Sequence, residues 1–193
     1  MDTLLALDHQ LFLFINHLPH APWSDAFAMT LSGVFGATTV IWLLLSIFLF
    51  VREERRDQWF FLPVILAGGI SVLVTDILLK NYFTRNRPPL DLGAIHVGSA
   101  ISGYSFPSGH ATFAWAIAVV LAKKEPRAKY FFYLLAALIS ISRIYLGVHY
   151  PADIVAGSVL GLGVGHMVQY VHAQVKRQRA SDHAGRRRSR KDH

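Results

Sequence analysis

The stretch AFAMTLSGVFGATTVIWLLLSIFLFV, residues 26–51, carries no Asp, Glu, Lys or Arg over 26 positions. A helix rises about 1.5 Å per residue, so about 20 residues cross a hydrocarbon core of roughly 30 Å. Working outward, residues 58–75 and 105–122 are uncharged over 18 positions each, and 154–175 over 22. Residues 130–142 are uncharged too, and after Arg143 the run resumes to Ala152. These runs predict spans at about 26–51, 59–79, 107–122, 130–146 and 152–172. Backbone polar groups in lipid must be satisfied within the segment, so the spans are expected to be helices. The fold class is all-α: an integral membrane bundle of about five transmembrane helices.

Composition agrees. Of 193 residues, 53% are hydrophobic and 16% charged, where soluble domains carry about 25% charge. The length fits a single membrane-embedded domain over 1–175, followed by a basic tail over 176–193 that reads as disordered and cytoplasmic. The chain has no Cys, which excludes disulfides, cysteine nucleophiles and thiolate metal sites. Net charge is +7, and the eight basic and two acidic residues of 176–193 account for six of those charges. A basic nucleic-acid-binding surface over the whole chain is thereby excluded.

Residues 4–18 are apolar but too short to span, and they carry Asp8, His9, Asn16 and His17. They read as an N-terminal amphipathic helix lying at the interface. No basic segment precedes them, which argues against a cleaved signal peptide. Fifteen of the 19 Lys and Arg residues fall in the 52–58 turn, the 123–129 turn and the tail. The positive-inside rule puts these on the cytoplasmic side, and the N-terminus, the 80–106 segment and the 146–151 turn outside. Lys80, Arg85, Arg87 and Arg143 break this bias and require another explanation. Gly157, Gly161 and Gly165 recur every four residues, a face suited to close helix approach within one chain.

Three clusters fall at the outward ends of the spans. Lys80 is followed, after six residues, by Arg87-Pro88. Pro107-Ser108-Gly109-His110 opens the third span. Ser142-Arg143, His149 and Asp153 bridge the fourth and fifth. Lys80, Arg87 and Arg143 suit phosphate: guanidinium forks match its oxygens and Lys supplies a point charge. The first-turn amides beside Ser108 and Gly109 favour an anion, and Gly109 admits a close backbone approach. His149 and Asp153, four apart around Pro151, can pair so that the carboxylate fixes the imidazole tautomer. Snorkelling at the interface explains Arg85 better than a site role, since Arg85 lies outside the clusters.

Taken in order, the three clusters resemble the signature of the type 2 phosphatidic acid phosphatase superfamily, which includes vanadium haloperoxidases and glucose-6-phosphatase. The resemblance spans residues 80–153. It implies that His149 is the nucleophile, forming a phosphohistidine, and that His110 protonates the leaving oxygen and then activates water. It also implies a metal-independent hydrolase without cofactor. Three cations beside His110, His149 and Asp153 would oppose a divalent metal in any case. Asp76 lies within the second span and is expected to pair with Lys80 at i, i+4. His96 reads as a solvated loop residue, and His166 and His172 as structural. Residues 88–106, with Gly93, Gly98 and Gly103, read as a flexible cover over the site.

The expected substrate is a membrane lipid phosphate reached at the outer face of what would be a bacterial cytoplasmic membrane. The outward N-terminus and chain length resemble bacterial undecaprenyl-diphosphatases, which implies a polyprenyl diphosphate. Phosphatidate or phosphatidylglycerol phosphate is the alternative. Vanadate-dependent halide oxidation and a non-enzymatic lipid transporter are the other classes. The first is disfavoured because the haloperoxidases of the superfamily are soluble, the second because no motif residue is lost.

Overall fold

A computed structural model describes residues 2–32, 35–52, 59–98 and 102–189. The described residues form helices joined by turns, with no strand among them. They are α1 (Asp2–Asn16), α2 (Pro22–Ser32), α3 (Phe35–Arg52), α4 (Phe61–Val72), α5 (Lys80–Phe83), α6 (Gly109–Lys124), α7 (Lys129–Tyr145) and α8 (Pro151–Ser189). A π-helical stretch, Leu73–Leu79, joins α4 to α5 into one apolar rod from Phe61 to Phe83. Such π segments interrupt helices most often at functional positions, and this one contains Asp76.

Three helical segments among the described residues are long and apolar enough to cross a membrane: 61–83, 126–145 and 151–179. The span expected at 26–51 is instead a bent pair, α2 and α3 meeting at 67°, which adds a fourth crossing if taken together. The expected third span, α6, has only 16 residues, yet 13 of them are buried. It is the central post. Ala111, Ala114, Ile117, Val120 and Leu121 are all but inaccessible, and α3, α4, α7 and α8 pack around it. Small side chains on one side let α8 approach closely. A Cβ on Gly157, Gly161 or Gly165 would run into Ser108 O, Thr112 O or Val119 of α6. The four-residue glycine repeat is therefore an internal packing face, as its spacing suggests.

Two features add to these expectations. Helix α8 is drawn through the basic segment to Ser189. Gln, Arg, Lys and Ala are good helix formers, and no Pro interrupts the stretch. The 39 residues of α8 would rise about 58 Å, well beyond one bilayer core. The second feature is that α1, the expected amphipathic helix, is also docked on the bundle. Phe12 and Asn16 are fully buried and Asp8 nearly so. Asn16 accepts from Ile95 N at 2.7 Å and donates to Ile95 O and Tyr145 O, each at 2.9 Å. Residues 53–58, 99–101 and 190–193, parts of the expected cytoplasmic turn, outer segment and tail, lie outside the described residues.

At the end of α5 the chain reverses sharply. Thr84 closes the helix with its amide on Lys80 O at 3.0 Å and adopts φ +47°. A β-branched residue in the left-handed region is strained. Beyond it, Arg85 reaches Asp153 at the start of α8, and Arg87 reaches Val148 and His149 in the turn before α8.

Candidate active site

The candidate site lies where the N-termini of α6 and α8, the end of α7 and the described parts of the 84–106 segment meet. Ser108 caps α6, its Oγ facing Ala111 N at 3.5 Å, and its own amide donates to Asp153 O at 3.0 Å. That bond ties the start of α6 to the start of α8. Gly109 and His110 are the first residues of α6, where amides have no carbonyl one turn earlier. Gly109 has a second function: a Cβ there would lie 2.9 Å from an oxygen of Asp76.

His149 sits in the turn between α7 and α8, outside the spans, and is 1% exposed. Its Nδ1 faces Asp153 Oδ2 at 3.3 Å, and its Nε2 faces Nη1 of Arg87 at 3.2 Å. A carboxylate only accepts and a guanidinium only donates. These two partners therefore assign the neutral tautomer with the proton on Nδ1 and a lone pair on Nε2. Burial holds His149 well below the usual imidazole pKa of 6.5, reinforced by the charges of Arg87, Arg143 and Lys80. The same three cations, with His149, act on His110. The charges of Lys80, Arg87 and Arg143 thus reach both histidines, although the five residues come from separate parts of the chain.

Each cation is aimed by its neighbours. Arg87 donates to Val148 O at 2.7 Å, Gly103 O at 3.1 Å and Tyr104 O at 3.2 Å. Its pKa is lowered by burial, partly offset by Asp153 and Asp76. Arg143 is 1% exposed and donates through Nη1 to Ser32 O at the end of α2, while its buried Nε has no hydrogen-bond partner among the described residues. Lys80 is bonded to Asp76, as the i, i+4 spacing predicts.

Arg85 is not a snorkelling residue. Nη1 donates to Asp153 Oδ1 at 2.7 Å and Nη2 to Asp8 Oδ2 at 2.5 Å, with the guanidinium 4.1 Å above the Tyr150 ring. Its anomalous position under the positive-inside rule is the signal that could have found it. Asp8 was visible only as an acid within an apolar helix, and nothing local pointed to a partner 77 residues away. His96 is also engaged, its Nε2 on Pro88 O at 2.9 Å. The described part of the cover is braced by specific bonds and turned by positive φ at Gly93, Gly98 and Gly103.

A family model described as the PAP2 superfamily matches residues 58–177. The chain belongs to the PAP2 superfamily. Lipid A 4'-phosphatase of Porphyromonas gingivalis is 31% identical over 188 residues, covering 89% of this chain and 75% of its own length. Decaprenylphosphoryl-5-phosphoribose phosphatase of Mycobacterium tuberculosis is 33% identical over 138 residues, covering 71% of this chain and 75% of its own. The solved structure of a transmembrane PAP2-type phosphatidylglycerolphosphate phosphatase from Bacillus subtilis superposes with a TM-score of 0.70 at 25% identity. The match covers 92% of this chain and 90% of that one. This PAP2 chain is an integral membrane protein of a lipid phosphatase family, and the apolar helices and the family agree on that.

Proposed function

We propose that this PAP2 protein removes a phosphate from a membrane lipid through a phosphohistidine on His149, with the site at the extracytoplasmic face. The observation that carries the reading is the pair of contacts on His149. Asp153 on Nδ1 and Arg87 on Nε2 keep the ring neutral, with its lone pair among three cations. In the first half-reaction Nε2 attacks phosphorus, and an N–P bond forms as the bond to the lipid oxygen breaks. His110 gives that oxygen a proton. In the second, His110 takes a proton from water, the water oxygen attacks phosphorus, and the N–P bond breaks to release phosphate. Lys80, Arg87 and Arg143 offset the charge on the equatorial oxygens, aided by the first-turn amides of α6. No metal is required by this scheme.

A polyprenyl diphosphate, such as undecaprenyl diphosphate, is the proposed substrate. The expected outward N-terminus favours it, and a decaprenyl-linked substrate in one relative's name is in keeping with it. The relatives also point to lipid A and glycerophospholipid phosphates, so the test is a panel. Purified protein is assayed for phosphate release from undecaprenyl diphosphate, lipid A, phosphatidylglycerol phosphate and phosphatidate, alongside His149→Ala. Release from at least one lipid, with acid-labile phosphate trapped on wild type and not on His149→Ala, is expected. Turnover by His149→Ala at the wild-type rate would overturn the mechanism, and inertness toward the whole panel would overturn the activity.

A further inference from the structure

The bonds around Asp153 continue past the histidine pair to the N-terminal helix. Asp153 is fully buried and both its oxygens are used. Oδ2 faces His149 Nδ1 at 3.3 Å and accepts the Tyr150 amide at 2.9 Å, while Oδ1 accepts Arg85 at 2.7 Å. Arg85 uses its other terminal nitrogen on Asp8 Oδ2 at 2.5 Å, and Asp8 Oδ1 accepts the amide of Ala152 at 2.8 Å. Asp8 therefore holds two things at once: the guanidinium that grips Asp153 and the backbone one residue before Asp153. Tyr150 completes the assembly. Arg85 lies over its ring at 4.1 Å, and His9, the neighbour of Asp8, stacks on it with centroids 5.2 Å apart.

We infer that Asp8 and Arg85 are positioning residues for the hydrolysis, so that docking of α1 sets the orientation of Asp153 and, through it, of His149. The inference rests on the reading of His149 as the nucleophile. The Tyr150 amide already holds Oδ2, and Arg85 on Oδ1 adds the second anchor that fixes the carboxylate's rotation about Cβ–Cγ and keeps Oδ2 directed at Nδ1. The rigid fork of Arg suits this, since each terminal nitrogen can serve a different carboxylate. A simple staple between α1 and α8 would need only Asp8 and the Ala152 amide. Here the link runs through the same carboxylate that orients the imidazole. The bonds described for the two residues run to Asp153, the Ala152 amide and the Tyr150 ring, so their effect is expected on the step that follows binding. Displacing a reacting group by about 1 Å from a distance costs up to about 100-fold in rate.

The test uses the full chain in detergent or bilayer discs, with the lipid phosphate of the panel that wild type hydrolyses fastest. The variants are Arg85→Gln, Arg85→Lys, Asp8→Asn and the double Asp8→Asn/Arg85→Gln, with His149→Ala as control. Arg85→Gln is expected to lower kcat about 10- to 100-fold with KM within about three-fold. Arg85→Lys should recover part of that loss, because one ammonium can hold Asp153 but not both carboxylates. Asp8→Asn should lose less than Arg85→Gln, and the double variant should be no slower than Arg85→Gln alone. A rise in KM at unchanged kcat would overturn the proposal and make Arg85 a substrate contact. Additive losses, or wild-type kcat in folded Asp8→Asn, would overturn it too. So would inactivity that appears only in variants whose unfolding temperature collapses. Full activity in His149→Ala would instead remove the reading beneath it.

Discussion

The Lys80 ammonium is bonded to the Asp76 carboxylate one turn earlier on the same span, inside the π-helical stretch that ends at Leu79. An acid within a span is costly unless paired, and a flexible Lys gains a fixed direction from the pair. Asp76→Asn should keep the fold and lower phosphate release, by less than His149→Ala, since only one cation is misplaced. In a Lys80→Ala background the same change should add little. Phosphate-release assays on the four chains of this cycle check the coupling, and fully additive losses would separate the two residues.

Gly109 lies on the other side of that carboxylate. An added Cβ would sit 2.9 and 3.0 Å from its two oxygens, so Asp76 must move, and a side-chain end can do so without unfolding the bundle. Gly109→Ala is expected to retain the unfolding temperature to within a few degrees while losing about ten-fold in rate through displaced Lys80. In an Asp76→Ala background no carboxylate remains to be struck, and Gly109→Ala should then be nearly silent. An equal loss in both backgrounds would place its effect on the α6 amides instead.

These two residues show what could be read in advance. The uncharged runs locate the helices because lipid enforces run length, and the Asp76–Lys80 pair follows from spacing on one helix. Lys80, Arg87, Ser108, Gly109, His110, Arg143, His149 and Asp153 stand out through local spacing, and the fold brings their elements to one end of the bundle. Long-range partners leave no such trace. Arg85 meets Asp8 across 77 positions and Asp153 across 68, so it was read as snorkelling. The bend between α2 and α3 is likewise absent from a hydropathy pattern that runs unbroken from 26 to 51. Charge density says where a helix leaves lipid, not where it stops, so the end of α8 at Ser189 is not legible in the 152–172 span.

Chelation and vanadate provide a separate check on the chemistry. In the proposed scheme Lys80, Arg87 and Arg143 supply the positive charge that offsets that of the phosphoryl group. Excess EDTA should leave phosphate release nearly unchanged, and vanadate should inhibit by occupying that position as a trigonal-bipyramidal mimic. Loss of activity on chelation, restored by one added metal, would contradict the scheme.

The proposed sidedness rests on the charge distribution, with 15 of 19 Lys and Arg on one side of the expected spans. The chain lacks Cys, so single cysteines report directly. Asp91→Cys, beside the site, should react with an impermeant thiol reagent in intact cells, and Glu125→Cys, at the opposite end of α6, only after permeabilisation. The reverse pattern would invert the topology and bring substrate from the cytoplasmic leaflet.

The buried imidazole of His149 gives the pH dependence its sign. Burial, followed by Arg87, Arg143 and Lys80, holds its folded-state pKa well below 6.5. Between that lowered value and pH 6.5 the folded chain keeps a neutral, nucleophilic ring while an unfolded chain would bind a proton. Two consequences follow. The rate should persist as pH falls through 6.5 and decline only when His149 itself is protonated. Stability should decrease over the same interval, because the unfolded state takes up the proton first. NMR of 15N-histidine-labelled protein, with the His149 signal assigned by its absence in His149→Ala, measures the titration directly. Arg87→Gln removes the largest of the charge effects and should move the titration upward toward 6.5, though not onto it, because burial remains. A His149 that titrates at or above 6.5 in the wild-type chain would mean that water reaches the ring, and that the three cations do not surround it as described.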